Sequence, residues 1–97
     1  MMKKILKIDI RAPFVITCSF DDGVVRNLDL TKILDKNDKY AKKIFEDVVF
    51  NAVKIGPNGE LHWADLAEIR TLEGDLVLYE YDICPDFVYE NSEQVLL

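Results

Sequence analysis

The chain has 97 residues, of which 49% are hydrophobic and 31% charged, and its formal net charge is −6. This length predicts one domain, residues 1–97, that buries roughly 60 to 70% of its unfolded surface and so forms a core without disulfides. Two cysteines, and a first apolar run interrupted by Lys7, Asp9 and Arg11, argue against secretion. We therefore expect a cytoplasmic protein that does not enter a membrane.

The chain opens with two predicted strands. Alternation of apolar and charged residues predicts the first strand, from about Lys4 to Ile10, and Pro13 ends it. The second begins at Phe14, and one of its sides carries the apolar residues Phe14, Ile16, Cys18 and Phe20. We expect these two strands to pair.

The turn Asp21-Asp22-Gly23 fixes the register of the next hairpin. A two-residue loop would bring Asn27 and Asp29 to the apolar face. A three-residue loop with Gly23 at positive φ instead gives the facing pairs Phe20–Val24, Ile16–Leu28 and Phe14–Leu30. The hydrophobic pattern favours the three-residue loop, with Arg26 opposite Cys18 as the one interruption.

One main helix is predicted after this hairpin. Thr31 is expected to cap a short helical turn that carries Ile33 and Leu34. Apolar residues then recur at helical spacing, at Tyr40, Ala41, Ile44, Phe45 and Val48. This stripe predicts a helix that packs on the sheet.

The second half of the chain predicts two further hairpins. The first pairs Val53 and Ile55 with Leu61 and Trp63 around residues 56–59. The second pairs 69–72 with 76–81 around Glu73-Gly74-Asp75, although 64–68 also fits a helical turn. Pro85 ends the last strand, residues 86–89 fit a short turn or helix, and a loose tail is expected from about residue 91.

These elements predict an α+β fold class: a small antiparallel β-sheet built from hairpins, with one main helix packed on one face. The predicted main core consists of Phe14, Ile16, Phe20, Leu28, Phe45 and Trp63.

Charge is distributed unevenly along the chain. All 12 Lys and Arg residues lie between Lys3 and Arg70, whereas residues 71–97 carry seven acids and no base. These acids serve either as a solvated surface that maintains solubility or as a docking surface for a basic partner. Nucleic acid does not fit the docking surface, because its phosphates would be repelled.

Few residues suggest catalysis or metal binding. Cys18 lies on an apolar strand face, where a thiolate is costly. Acidic neighbours are expected to raise the pKa of Cys84, and strand parity directs His62 to solvent. A Cys84–His62 dyad would form only if the fold brings the two side chains together. Two cysteines and one histidine without ligand spacing predict no metal site, and no cofactor motif is present.

The order of these elements resembles a family of small bacterial domains catalogued as domain of unknown function 2442. The resemblance is carried by 20–23, Asp29-Leu30, Ile33-Leu34, Phe45, 53–55, Trp63, Asp82-Ile83, Pro85-Asp86 and Tyr89-Glu90. This chain has extra residues between Trp63 and Asp82, where many relatives connect directly. The resemblance implies a compact α+β domain without an established activity, often encoded beside small toxin-like proteins, and so suggests an antitoxin-like or regulatory role.

The leading functional hypothesis is a non-enzymatic module whose acidic C-terminal third binds a basic protein. Its predicted contact residues are Asp82, Asp86 and Glu90, bordered by Tyr79, Tyr81, Phe87 and Tyr89. The alternative is a structural domain that forms a homodimer through an exposed sheet edge or the tail 95–97. A cysteine-dependent enzyme is the remote alternative.

Overall fold

The computed structural model describes residues 3–95, with all their side chains except those of 65–69 and 77–79. Within this range the chain forms two antiparallel sheets and four short helices, which confirms the α+β class. The elements are β1 (Ile5–Ala12), β2 (Val15–Phe20), β3 (Val25–Asp29), α1 (Leu30–Ile33), α2 (Ala41–Ile44), α3 (Asp47–Phe50), β4 (Lys54–Ile55), β5 (Leu61–Arg70), β6 (Leu76–Ile83), α4 (Pro85–Glu90) and β7 (Glu93–Gln94). The first sheet has the order β1-β2-β3-β7 and the second the order β4-β5-β6.

The β2–β3 hairpin has the predicted register. Ile16 lies opposite Leu28, and the Phe20 amide donates to the Val24 carbonyl at 2.9 Å. Gly23 has a φ of 86°, which confirms the three-residue loop. A glycine adopts this conformation without the steric conflict that a Cβ would bring.

The β1–β2 pairing is also as predicted, but β1 continues to Ala12 and β2 begins at Val15. Phe14 is not in a strand, because it has a φ of 65°. Its ring centroid lies 5.2 Å from that of Phe45 and 5.3 Å from that of Phe50, both in edge-to-face geometry. These contacts offset the cost of a left-handed non-glycine residue.

The predicted cap of the first helical turn is wrong by two residues. Asp29, not Thr31, precedes α1 in an extended conformation, and its carboxylate accepts the Thr31 amide at 3.0 Å. A cap needs non-helical backbone next to the first helical residue, and the end of β3 supplies that backbone at Asp29.

The prediction of one main helix is wrong. The segment from Tyr40 to Phe50 forms α2 and α3, separated by Glu46 in an extended conformation. Val48 is 85% exposed, while Phe50, outside the predicted stripe, is buried. On one continuous helix, a separation of five residues would place Phe45 and Phe50 about 140° apart around the helix axis. The break allows both rings to reach Phe14.

The second sheet is organised around β5. This strand runs without a helical turn from Leu61 to Arg70, so the alternative of a helix at residues 64–68 is wrong. It pairs with β4 at its start and with β6 along its length, with a register shift between Trp63 and Ala67.

One hydrophobic core joins both sheets and the helices. Four predicted members, Ile16, Phe20, Leu28 and Trp63, are buried, whereas Phe14 and Phe45 are half-buried at its margin. Core residues that the sequence analysis did not select include Ile44, Phe50, Leu61 and Val88.

The C-terminal segment returns to the first sheet. Glu93 and Gln94 pair with β3, and Ser92 is buried. Arg26 holds this segment by donating from Nε to the Ser92 hydroxyl at 2.8 Å and from its terminal nitrogen to the Ser92 carbonyl. Leu96 and Leu97, which belong to the predicted tail, lie outside the described residues.

Candidate functional site

The two cysteines differ in exposure. Cys18 is fully buried, and burial raises the pKa of its thiol to about 12. A thiol with that pKa is almost entirely protonated at neutral pH and is a poor nucleophile. Cys84 is exposed and precedes α4.

His62 interacts with Asp82 rather than extending into solvent. The two residues face each other across the β5–β6 pair, and Nδ1 of His62 contacts Oδ1 of Asp82. The His62 side chain is only 20% exposed. The hydrogen bond to Asp82 raises the pKa of His62, and the charges of Asp82, Glu80 and Glu60 act in the same direction.

Metal ligands do not converge in the part of the chain that the structure describes. No group of three or more histidine, cysteine or acidic side chains there is placed to hold a metal ion. In the same residues, no helix has the length and hydropathy needed to cross a membrane.

The three predicted acidic contact residues lie on two neighbouring elements. Asp82 is on β6 with its side chain 53% exposed, while Asp86 and Glu90 lie in the first and last turns of α4. Their i, i+4 spacing puts the latter two on one helix face. Asp86 is half-buried and its carboxylate accepts the Lys3 backbone amide at 2.6 Å, whereas Glu90 is exposed.

The four predicted aromatic residues do not lie together. Tyr81 is half-buried and its ring lies 6.3 Å from that of Trp63, on the face of β6 opposite Asp82. Phe87 on α4 is 44% exposed. The side chain of Tyr79 lies outside the described residues.

Tyr89 is held by contacts within the chain. Its hydroxyl donates to Asp22 at 3.0 Å, and its ring packs edge-to-face on Phe20 at 4.9 Å. Lys3 and Arg26 lie over the ring, 4.7 and 4.8 Å from its centroid. These contacts join the N-terminal segment and β3 to α4, and they leave little of the ring to a partner.

The predicted hairpin of 69–72 with 76–81 forms, with Ile69 opposite Val77. It is the outer part of a longer projecting two-stranded ribbon, residues 64–80, which we call the arm and whose length was not predicted. From Trp63 to Arg70, seven residues at about 3.3 Å each extend the chain by about 23 Å. The molecule measures 52 × 26 × 18 Å, and Leu72 at the tip of the arm is fully exposed. The available signal was the strand pattern on both sides of Glu73-Gly74-Asp75.

The outer edge of β6 presents free backbone groups. The Thr71 amide donates to the Asp75 carbonyl at 2.8 Å, so alternate β6 residues from Asp75 onward direct their backbone groups to β5. The intervening residues, Leu76, Leu78, Glu80 and Asp82, direct theirs outward. Among the described residues β6 pairs only with β5, which leaves this edge open.

Carboxylates accompany this open edge. Glu80 and Asp82 are exposed, and residues 64–82 contain six acids (Asp65, Glu68, Glu73, Asp75, Glu80 and Asp82) against one base, Arg70. The arm and the end of β6 therefore form an acidic strand edge.

Comparison of the chain with protein-family models, with curated proteins and with solved structures finds no match. The resemblance to domain of unknown function 2442 therefore stays a hypothesis.

Proposed function

We propose that this chain is a non-enzymatic module that binds a basic protein, and that the partner adds an extended segment to β6. The observation that supports this proposal is the open β6 edge, where outward backbone groups coincide with the exposed carboxylates of Glu80 and Asp82. Strand addition supplies affinity through main-chain hydrogen bonds, and alternate side chains supply specificity.

The charge of the arm selects the partner. Its five acids, together with Asp82 at the end of β6, outnumber the one base, Arg70, and would attract lysine and arginine side chains and repel phosphates. A second copy of this chain would bring the same acidic arm to the edge, so self-pairing at β6 is disfavoured.

Residues of α4 extend the proposed contact surface. Glu90 and Phe87 are exposed, and Asp86 remains partly accessible beside them. We assign them to the margin of the partner-binding site, since α4 follows β6 after only Cys84. The family resemblance adds that the partner is a small toxin-like protein and the role antitoxin-like or regulatory, in the cytoplasm.

A synthetic peptide of about ten residues with alternating lysine and valine tests the proposal, because it combines positive charge with strand propensity. Fluorescence anisotropy is expected to detect binding that weakens as salt is raised to about 0.5 M. A matched peptide with glutamate in place of lysine is expected not to bind. The amide resonances of 76–82 should shift on addition of the lysine peptide.

Charge-reversed variants provide the control. Glu80→Lys, alone and combined with Asp82→Lys, should abolish peptide binding. Glu46→Lys with Asp47→Lys makes the same charge change at exposed residues around the α2–α3 break and should retain most of the binding. The proposal is wrong if both double variants bind equally or if the shifted amides lie outside β6.

A further inference from the structure

The first sheet has an open edge of its own at β1. This strand is outermost in the order β1-β2-β3-β7. Leu6 is 66% exposed and Ile10 45% exposed, and Ile8 between them is half-buried. Three large apolar residues therefore follow one another at alternate positions along this edge.

The alternation of hydrogen-bond direction along β1 shows which of its backbone N–H and C=O groups are free. The Phe20 amide bonds to Val24 in the β3 direction, so the odd-numbered residues of β2 face β1. Their partners, Lys7 opposite Ser19 and Asp9 opposite Thr17, direct their backbone groups to β2. By alternation, Ile8 and Ile10 direct theirs outward.

Both ends of the free stretch are defined. The Lys4 carbonyl accepts the Asp21 amide, so the backbone groups of Lys4 point to β2, as those of Lys7 do. The backbone groups of Ile5 and Leu6, between them, therefore point outward. The Ile5 amide donates to the Gly59 carbonyl at 3.0 Å, so the turn after β4 covers the edge there. At the other end a register shift follows Ile10. Among the described residues, the open edge is therefore Leu6–Ile10.

This five-residue edge is self-complementary. We propose that two copies of the chain pair antiparallel through β1, with Ile8 opposite Ile8 of the second copy on a two-fold axis. The Ile8 pair then exchanges both backbone hydrogen bonds, and each Leu6 faces an Ile10. Lys7 and Asp9 fall opposite each other in the closely spaced, non-hydrogen-bonded pairs, where cross-strand charges interact most strongly.

Alternative registers lose these matches. Pairing centred on Asp9 sets Asp9 against Asp9 and Lys7 against Arg11, which are both like-charge pairs. Pairing centred on Ile10 sets Ile8 against Ala12, which faces β2 through its pairing with Val15. Only the register centred on Ile8 satisfies charge, apolar contact and backbone direction together.

Sedimentation equilibrium over about 1 µM to about 1 mM tests for the dimer. Lys7→Glu, and separately Asp9→Lys, each place two like-charge pairs in the interface and should raise the dimer Kd by about tenfold. The combined variant exchanges the charges and should restore the parent Kd to within about threefold. Both residues are highly exposed, so the monomer fold should survive each change, which circular dichroism verifies.

A control reversal belongs at another exposed ion pair. Lys32 and Glu93 have the same 3.8 Å separation as Lys7 and Asp9 but lie away from β1, and Lys32→Glu should leave the Kd unchanged. Amide hydrogen exchange gives a second readout: exchange at Ile8 and Ile10 should slow as concentration rises, while Lys7 and Asp9 stay protected throughout. The proposal is overturned if the chain is monomeric at about 1 mM, or if neither single variant changes the dimer Kd. The test does not depend on the acidic arm.

Discussion

Two glycines illustrate how one residue type carries different constraints. Gly23 and Gly59 both have positive φ, 86° and 77°. A Cβ on Gly23 would meet no atom within 4 Å, whereas one on Gly59 would lie 2.7 Å from the Lys4 Cβ and 2.9 Å from its Cα. Gly23 thus serves conformation alone, and Gly59 also permits the close approach of its turn to β1.

We expect Gly23→Ala to lower the free energy of unfolding by about 1 kcal/mol, the cost of a left-handed alanine. Gly59→Ala should lower it by about 2 to 4 kcal/mol, because the backbone at Lys4 must also shift. Urea denaturation measures both. Equal losses for the two variants would contradict the role assigned to the Gly59–Lys4 contact.

The His62–Asp82 contact makes stability depend on pH. Because the pKa of His62 is higher in the folded than in the unfolded chain, the contact stabilises the fold fully below the unfolded value of about 6.5. That contribution is lost as pH rises through the folded pKa. The Tm difference between the parent and His62→Gln should therefore be largest in mild acid and decline toward alkaline pH. Asp82→Asn should remove the same pH-dependent part, and a difference that grows with pH would contradict this assignment.

At the scale of elements, local pattern predicted hairpins better than helices. The β2–β3 register followed from Gly23 and the alternation of Ile16 and Leu28, all within one short segment. The helix prediction failed because Phe45 and Phe50 are positioned by Phe14, far away in sequence. A periodicity argument contains no information about that contact, so tertiary packing overrode it.

Three truncations test the break between α2 and α3. Phe50→Ala should cost about 3 to 5 kcal/mol, since this side chain is buried, and Phe45→Ala, half-buried, about 1 to 3 kcal/mol. Val48→Ala should change stability by less than about 0.5 kcal/mol, because Val48 is 85% exposed. Chemical denaturation compares the three. A large loss of stability in Val48→Ala would instead support a single continuous helix.

The candidate site was predictable in composition but not in arrangement. The excess of acid after Arg70 is visible in the sequence, whereas the exposure of Asp82 and Glu90 is seen only in the structure. The sequence does not reveal that the Lys3 amide donates to the Asp86 carboxylate, or that Lys3 and Arg26 lie over the Tyr89 ring. Those contacts join residues more than 60 positions apart, beyond the reach of spacing arguments.

At the scale of the whole molecule, the chain divides into a packed body and an arm. Buried residues on both sheets form one core, and among the described side chains its last cross-strand pair toward the arm is Trp63 with Tyr81. Beyond that pair β5 and β6 form a two-stranded ribbon, an arrangement that is only marginally stable by itself in water. Core stability alone does not account for an acidic ribbon of this length, which supports the binding role proposed for it.

Shortening the arm separates its roles. Replacing residues 64–80, the whole arm, by Asn-Gly joins Trp63 to Tyr81, a hydrogen-bonded pair, through a two-residue hairpin turn. We expect the shortened chain to fold with a Tm within about 4 °C of the parent, because the deletion leaves every described core residue in place. It should no longer bind the lysine–valine peptide, because most of the β6 edge and all five acids of the arm are gone, while dimerisation through β1 persists. Calorimetry, anisotropy and sedimentation measure the three properties on one protein. A shortened chain that unfolds would show that the arm belongs to the fold, whereas one that folds and still binds the peptide would move the binding site to α4.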